Sequence, residues 1–447
     1  MARHLRLEVR VILRSLAWLG MAALAYAGEP MDSDSTGSAI FIHPDGSGLS
    51  SWAALRLLDQ GPDGQLNWDQ LERMGLYRGH LANSAVSSSN GGATAHAFGV
   101  KARHKAFGSH PARPLTALSG SDRSVLLEAR DAGMGTALIN SGHIGEPGTA
   151  AFVANSRLRT DTDTIAVQVV RSGVDILFSG GETLLLPEGM TGHFGEPGVR
   201  KDGLDVIALA RELGYSVVFT RAELLALPDS TRRVLGIFAP FHTFHDQPEE
   251  SLQVKGLPLY RDDAPTVAEM LAKALALLTA RGRPFLVVLE EEGTDNFANA
   301  NNAAGTLEAL RRADAAIGVA LEHIHRHPDT LLLTAADSEA GGMDVVPVSE
   351  SSLSDQLKPW DGNGAPWDGV DGRGTAPFLS APDRFGTRHR FGICWASAED
   401  LGGGVVARAH GLHADRLPTN TDNTDIYRML HLTMFGRWLP ADPPLHP

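Results

Sequence analysis

Cysteine is almost absent: Cys394 stands alone in 447 residues. This excludes an intramolecular disulfide and leaves stability to the apolar core, with bound metal as a second source. Net positive charge is absent too. The 39 lysines and arginines are outnumbered by 53 acids, for a formal charge of -14. That balance excludes nucleic acid or an anionic membrane surface as the main partner, because each demands a basic face that displaces counterions. It leaves room for a local cationic pocket. Internal repeats and low-complexity tracts are missing. So is a comfortable membrane span: the N-terminal apolar run Leu16 to Tyr26 is too short. It follows Arg3, Arg6, Arg10 and Arg14 and ends at Ala25-Tyr26-Ala27, the plan of a signal peptide over residues 1–27. The expectation is a periplasmic or secreted protein with a flexible mature N-terminus over 28–38 and no stable membrane anchor after cleavage; an uncleaved anchor is the alternative.

What the chain does have is alternation. Ala39 to His43 is an apolar run stopped by Pro44-Asp45-Gly46-Ser47-Gly48, a buried strand ending in a tight turn, with a helix from Trp52 to Leu58 behind it. Helical spacing over Asp122 to Asp131, Thr164 to Arg171, Asp205 to Leu213, Thr266 to Ala280 and Ala303 to His323 then interleaves with further strands. These are Thr136 to Asn140, Val174 to Phe178, Ser216 to Phe219, Pro284 to Leu289 and Thr330 to Thr334. Such βαβ repetition predicts an α/β fold, a mostly parallel sheet flanked by helices on both faces, as one domain over 39–447. Gly341 to Arg388, rich in Gly, Pro, Asp and Ser, breaks the rhythm and reads as an insertion or lid, because strand-like Phe391 to Trp395 follows. Its Asp361, Asn363, Asp368 and Asp371 match no standard calcium loop and read as surface turns.

The chemistry collects at strand ends and at one helix entrance. Val86-Ser-Ser-Ser-Asn-Gly-Gly-Ala-Thr-Ala-His-Ala-Phe-Gly-Val-Lys101 sets hydroxyls, an amide and two glycines before an Ala-rich helix start. Unpaired N–H groups and the positive end of the helix dipole suit a phosphoryl group there and stabilise an alkoxide, although a plain Ser/Asn cap has the same composition. Glu290-Glu-Glu-Gly-Thr-Asp295-Asn-Phe-Ala-Asn299 directly follows an apolar strand, and Asp337 follows another, so these acids and Asp45 are expected at one sheet edge, where α/β folds collect ligands. Clustered acids repel unless a cation joins them; a solvated acidic loop is the competing reading.

Val86 to Lys101 resembles the nucleophile segment of alkaline phosphatases, V-T-D-S-A-A-x-A-T-A-x-x-x-G-V-K, in its Ala-Thr-Ala and Gly-Val-Lys portions. The resemblance puts the nucleophile on Ser89, with Ser88 as a rival because the family's preceding aspartate is Ser88 here. Asn90 and Gly91 fall where substrate binds. The family's glutamate, aspartate and histidine after the corresponding strand map to Glu290 (or Glu292), Asp295 and Asn299. Its T-A-D-H maps to Thr334-Ala-Ala-Asp337-Ser338, and its first metal aspartate to Asp45. The pattern H-A-T-P-A-A-F resembles His143 to Phe152 and makes Glu146 a metal-side ligand, with Arg159, or Arg157 behind it, clamping phosphate. A third family histidine falls near Trp395.

The resemblance therefore implies an exported, metal-dependent phosphomonoesterase that hydrolyses small phosphate esters through a phosphoserine. A homodimer is the assembly to look for. Since the metal histidines are replaced, an oxygen-dominated centre for divalent metal ions is expected, with magnesium first and calcium, manganese or zinc as alternatives, and with His43, His143, His242, His245 and His410 as spare ligands. A phosphodiesterase or sulfatase-type hydrolase on the same fold, and a non-catalytic phosphate or metal binder, are the competing functions.

Overall fold

The computed structural model describes residue 33 and residues 35–110, 113–348, 367–368 and 378–441. The expected signal peptide lies outside the described residues, as do Asp361, Asn363 and Asp371.

Ten strands form one sheet: β1 (Ser38–Pro44), β2 (Arg73–Arg78), β3 (Gly135–His143), β4 (Ile176–Gly180), β5 (Ser216–Val218), β6 (Val234–Ile237), β7 (Phe285–Glu291), β8 (Thr330–Thr334), β9 (Val406–Gly411) and β10 (Asn420–Asp422). Their order is β10-β2-β9-β8-β1-β7-β3-β4-β6-β5. β9 runs antiparallel to β8 and β2, and the remaining pairs within the sheet are parallel. The α/β expectation is met, and the expected strands and helices fall near their bounds, but β2, β6, β9 and β10 were not expected.

β1 and β7 are buried along their whole length, which is why they read as continuous apolar runs rather than as alternation. Side chains still alternate between two layers. Phe41, Val288 and Leu333 pack on one face; Ile42, Leu289 and Leu332 pack on the other. The second face is covered by α1 (Leu49–Asp59), α3 (Val267–Thr279) and α5 (Ala303–Arg326), and the first by α2 (Ser89–Phe98) and α6 (Asn423–Phe435), while α4 (Gly293–Asn299) follows the end of β7 directly. Local signals start these helices where they do. Thr266 and Glu269 form a reciprocal capping box at α3, and Asn302 accepts the Gly305 N–H at α5. No helix among the described residues is long and apolar enough to cross a membrane.

The strand expected near Phe391 does not return to the main sheet. Arg390–Cys394 instead pairs with Asp344–Pro347, Trp367–Asp368 and Phe378–Leu379, so the described parts of the insertion build a small sheet of their own. Asp368 is not an exposed turn residue. It is buried, accepting from the Ala303 N–H at 3.2 Å and from Trp395 Nε1 at 2.7 Å, and so ties the insertion to the start of α5.

Candidate active site and metal centre

Parallel register carries the acids to one rim. His43 in β1 and Asn140 in β3 both stand opposite Glu290 in β7, so the C-terminal ends of three adjacent strands open at the same height. β8 ends beside them, and Asp337 follows it. Asp45 leaves β1 through Gly46, whose φ is +64° and whose missing side chain leaves room for Asp295: a Cβ there would lie 2.6 Å from Asp295 Oδ1. The acidic run is not a solvated loop. Gly293–Asn299 is helical, and Glu290, Glu291, Glu292 and Asp295 are all buried.

These acids differ in how they are held. Glu291 Oε1 accepts from Ser141 Oγ at 2.6 Å and Tyr260 OH at 2.8 Å, which ties that oxygen into the structure, while its Oε2 has no hydrogen-bond partner. Buried oxygens without a hydrogen-bond partner include Asp45 Oδ2, Glu290 Oε1, Glu292 Oε2, Asp295 Oδ1, Asn299 Oδ1 and Asp337 Oδ2. An unpartnered buried carboxylate oxygen is costly. Burial, reinforced by Asp45, pushes the Glu290 carboxyl up to about 8 and those of Asp295 and Asp337 well above their ordinary range. Burial followed by Glu146 and Glu290 does the same to Glu292. Asp45 goes the other way: burial raises it, but His43 outweighs burial and holds it near 2. Convergent, mutually repelling acids with free oxygens fit divalent cations. Asp45, Glu290 and Glu292 bring ligand atoms within 4.8 Å of one another, as do His43, Asp45 and Asp337.

The histidines divide by which ring nitrogen is engaged. His43 Nδ1 lies 2.7 Å from the Ala335 carbonyl, so that nitrogen carries the proton and Nε2 faces Asp45 Oδ1 at 3.1 Å. A neutral His43 therefore aims a lone pair into the acids, the tautomer a metal ligand needs. Alternatively it holds a second proton there: burial lowers its affinity for one, but Asp45 lifts it to about 10. His143 is set the opposite way. Its Nδ1 accepts the Gly145 N–H at 3.1 Å, so Nε2 carries the proton and donates to Glu146 Oε1 at 2.9 Å. His242 Nε2 lies 3.0 Å from the same oxygen, and an Arg159 nitrogen lies 3.6 Å from Glu146 Oε2. Burial raises the Glu146 carboxyl, but the His143 and His242 partners more than reverse this and hold it well below its ordinary range. Glu146 is thus an anion enclosed by nitrogen groups. Of the other spare histidines, His245 Nδ1 contacts the Pro258 carbonyl, and His410 stands opposite Leu332 in β8, below the rim.

At the helix entrance, Ser88 and Ser89 have different duties. Ser88 caps α2, accepting the Gly91 N–H at 3.3 Å and donating to the His104 carbonyl. Ser89 is the first helical residue, and its hydroxyl engages none of the described residues. It opens, with Asn90, Arg157, Arg159 and Asp400, on a cleft of about 430 Å³. Gly91 is held back from that cleft: its N–H serves Ser88, and a Cβ there would meet Leu81 Cδ1 at 2.5 Å. Gly92 packs against the acid rim, since a Cβ on it would lie 2.5 Å from Asp337 Cβ. The first turn of α2 is thereby seated directly against Asp337.

The alkaline phosphatase family matches residues 38–434. The chain belongs to the alkaline phosphatase family. Streptomycin-6-phosphate phosphatase from Streptomyces griseus is 29% identical over 377 residues, covering 73% of this chain and 81% of that protein. Escherichia coli K12 alkaline phosphatase is 24% identical, covering 87% and 84%. The membrane-bound alkaline phosphatase of Bombyx mori is 25% identical over 69% of this chain, and the chain spans only 61% of that protein's length. Among solved structures, the alkaline phosphatases of Thermus thermophilus (TM-score 0.70, 22% identity, 92% of this chain and 93% of that one) and of the Antarctic bacterium TAB5 (0.68, 19%, 90% and 100%) share the fold.

One expected position needs correction. Trp395 is turned toward Asp368 and contributes nothing to the rim. Asp400, five residues on, is the side chain that arrives there: the Asn299 amide donates to Asp400 Oδ1 and to Asp295 Oδ2, each at 3.1 Å. Glu339–Ala340 pairs with Asp400–Leu401 and brings it in. The available signal was the acid pair Glu399-Asp400 before Leu401-Gly-Gly-Gly404, a polar turn just ahead of the final long strand of the sheet.

Proposed function

We propose that this alkaline phosphatase family member is an exported, metal-dependent phosphomonoesterase with Ser89 as its nucleophile. The observation that carries the reading is the uncommitted Ser89 hydroxyl at the entrance of α2, in the same cleft as Arg159 and Asp400 and on a helix seated against Asp337. Export rests on the Arg-rich start and the short apolar run before Ala25-Tyr26-Ala27.

Asp45, Glu290, Glu292, Asp295, Asn299, Asp337 and Asp400 would hold the cations, with His43 adding a nitrogen. When bound, divalent cations supply positive charge that favours the serine alkoxide and offsets charge on the transferring phosphoryl group. An oxygen-rich set favours hard ions such as magnesium, calcium or manganese over zinc. A solved variant of the TAB5 enzyme, with aspartate in place of a histidine, is described with magnesium bound, which agrees with that preference. Ser89 Oγ forms a bond to phosphorus while the ester P–O bond breaks and the alcohol departs. Arg159, with a nitrogen 3.6 Å from Glu146 Oε2, would present its fork to two phosphoryl oxygens, and Arg157 borders the same space. The free N–H groups of the first turn, at Ser89 and Asn90, face the same charge. Water then attacks phosphorus, displaces Ser89 and releases inorganic phosphate.

Hydrolysis of an aryl phosphate by Ser89→Ala and Ser88→Ala tests this. Ser89→Ala is expected to lose about a thousandfold or more in kcat. Ser88→Ala is expected to keep most of the activity and lose about 1 kcal/mol of stability with its cap. An inactive Ser88→Ala beside an active Ser89→Ala overturns the assignment.

A further inference from the structure

A second cleft, of about 680 Å³, shares Arg157 with the Ser89 cleft. Arg123, Arg130 and Arg171 also line it, and Asp122 is the one acid among its lining residues. That concentration of positive charge stands out in a chain with a formal charge of -14. Arg130 is committed to Asp131 and to the Ser172 carbonyl. Arg123 lies 3.7 Å from Asp122 and from Asp131, at half exposure. Arg157 and Arg171 have no ion pair or hydrogen bond among the described residues. Helix-end electrostatics accounts for part of this: Arg130 and Arg171 occupy the last turns of Val125–Asp131 and Thr162–Arg171, where a cation offsets the carbonyl end of the dipole. It does not account for Arg123 or Arg157, which lie outside those helices. Arg157 and Arg171 are therefore the cations of this concavity that no acid among the described residues offsets, and such charge raises the local concentration of anions.

We infer that this cleft receives a second anionic group carried on the leaving-group side of the substrate, so that the preferred esters bear two phosphates. The inference rests on the reading of Ser89 as a phosphatase nucleophile and deepens it. Arg159 serves the phosphoryl group that is transferred, Arg171 and Arg123 serve the one that is not, and Arg157 stands between. Guanidinium forks suit this task because each offers paired donors to two oxygens of a phosphate. The acidic rim repels a doubly phosphorylated ester, so a preference for such an ester requires a compensating cationic surface beside it.

Fructose 1,6-bisphosphate and fructose 6-phosphate form a matched pair of probes. Their kcat/KM values are compared for the wild type, Arg171→Glu, Arg123→Glu and, as a control for overall charge, Arg326→Glu, an exposed arginine that lines neither cleft. The wild type is expected to favour the bisphosphate by about tenfold, with the ratio falling to about one in the first two variants, unchanged in the control, and fructose 6-phosphate turnover constant throughout. A wild-type ratio of one or less, a ratio insensitive to Arg171→Glu, or an equal fall in Arg326→Glu overturns the inference. Calorimetric binding of the same two sugars separates the layers. Tighter, Arg171-dependent binding of the bisphosphate without turnover of either ester removes the phosphatase reading and keeps the cleft; no difference in binding removes the cleft.

Discussion

Two histidine–carboxylate groups lie at the same sheet edge and are wired in opposite senses. At His43, Asp45 and Asp337 the outer imidazole N–H donates to the Ala335 carbonyl, so Nε2 faces inward and offers a lone pair once any second proton has left, and Asp45 Oδ2 and Asp337 Oδ2 are left without partners. At His143, Glu146 and His242 the Gly145 N–H occupies the far nitrogen of His143, the proton points inward, and Glu146 is enclosed by nitrogen groups. Both groups have a plausible ligand spacing. The difference teaches that spacing alone does not make a metal site: the hydrogen bond on the outer ring nitrogen decides whether the inner one donates a proton or a lone pair. By that criterion we propose the first group for the cations and the second for Arg159.

The largest separation between the two is expected in activity. Asp45→Asn removes the acid that faces His43 and stands among Glu290, Glu292, Asp295 and Asp337, and kcat should fall by about a thousandfold or more, because several kcal/mol of charge stabilisation go with the cation. Glu146→Gln keeps the shape, loosens Arg159 and should cost about ten- to hundredfold, the range for a supporting residue. Steady-state kinetics at saturating magnesium distinguish them, and equal losses would erase the comparison.

A smaller effect concerns pH and the metal-free protein. In the folded state Glu290 titrates near 8, above its ordinary carboxyl value, so the folded form binds more protons than the unfolded chain between about pH 4.5 and 8. Stability from this group is present at low pH and is lost as pH rises through that window. His43, raised to about 10, acts with the same sign between about 6.5 and 10. Asp45, held near 2, loses its contribution only as pH falls from about 4 toward 2. Protein stripped with chelator should therefore melt at a lower temperature at pH 8 than at pH 5.5. Added magnesium should remove most of that difference, as seen by scanning calorimetry of both forms. A stripped protein more stable at pH 8 would contradict the placement of the buried acids.

The sheet was legible because strands buried on both faces cannot hide: Ala39 to His43, Pro284 to Leu289 and Thr330 to Thr334 announce themselves as apolar runs, and each is followed by acids that have no reason to be there unless the strand ends share an edge. The cluster of Asp45, Glu290, Asp295 and Asp337 was legible for the same reason. Asp400 was not, since it arrives through a short pairing with Glu339–Ala340 that has no apolar pattern of its own. The duties of Ser88 and Ser89 were also hidden. Both are hydroxyls at a helix start, and only the His104 carbonyl, brought in from the following loop, commits the first of them. His143 and His43 looked alike as histidines at strand ends; what distinguishes them is a backbone N–H on one ring and a carbonyl on the other, neither of which side-chain identity encodes.

The most direct test is electron spin echo spectroscopy on manganese-loaded protein, which detects nitrogen bonded to the metal. The account predicts an imidazole nitrogen signal in the wild type that vanishes in His43→Gln and persists in His143→Gln. A signal that survives His43→Gln and is lost in His143→Gln would contradict it.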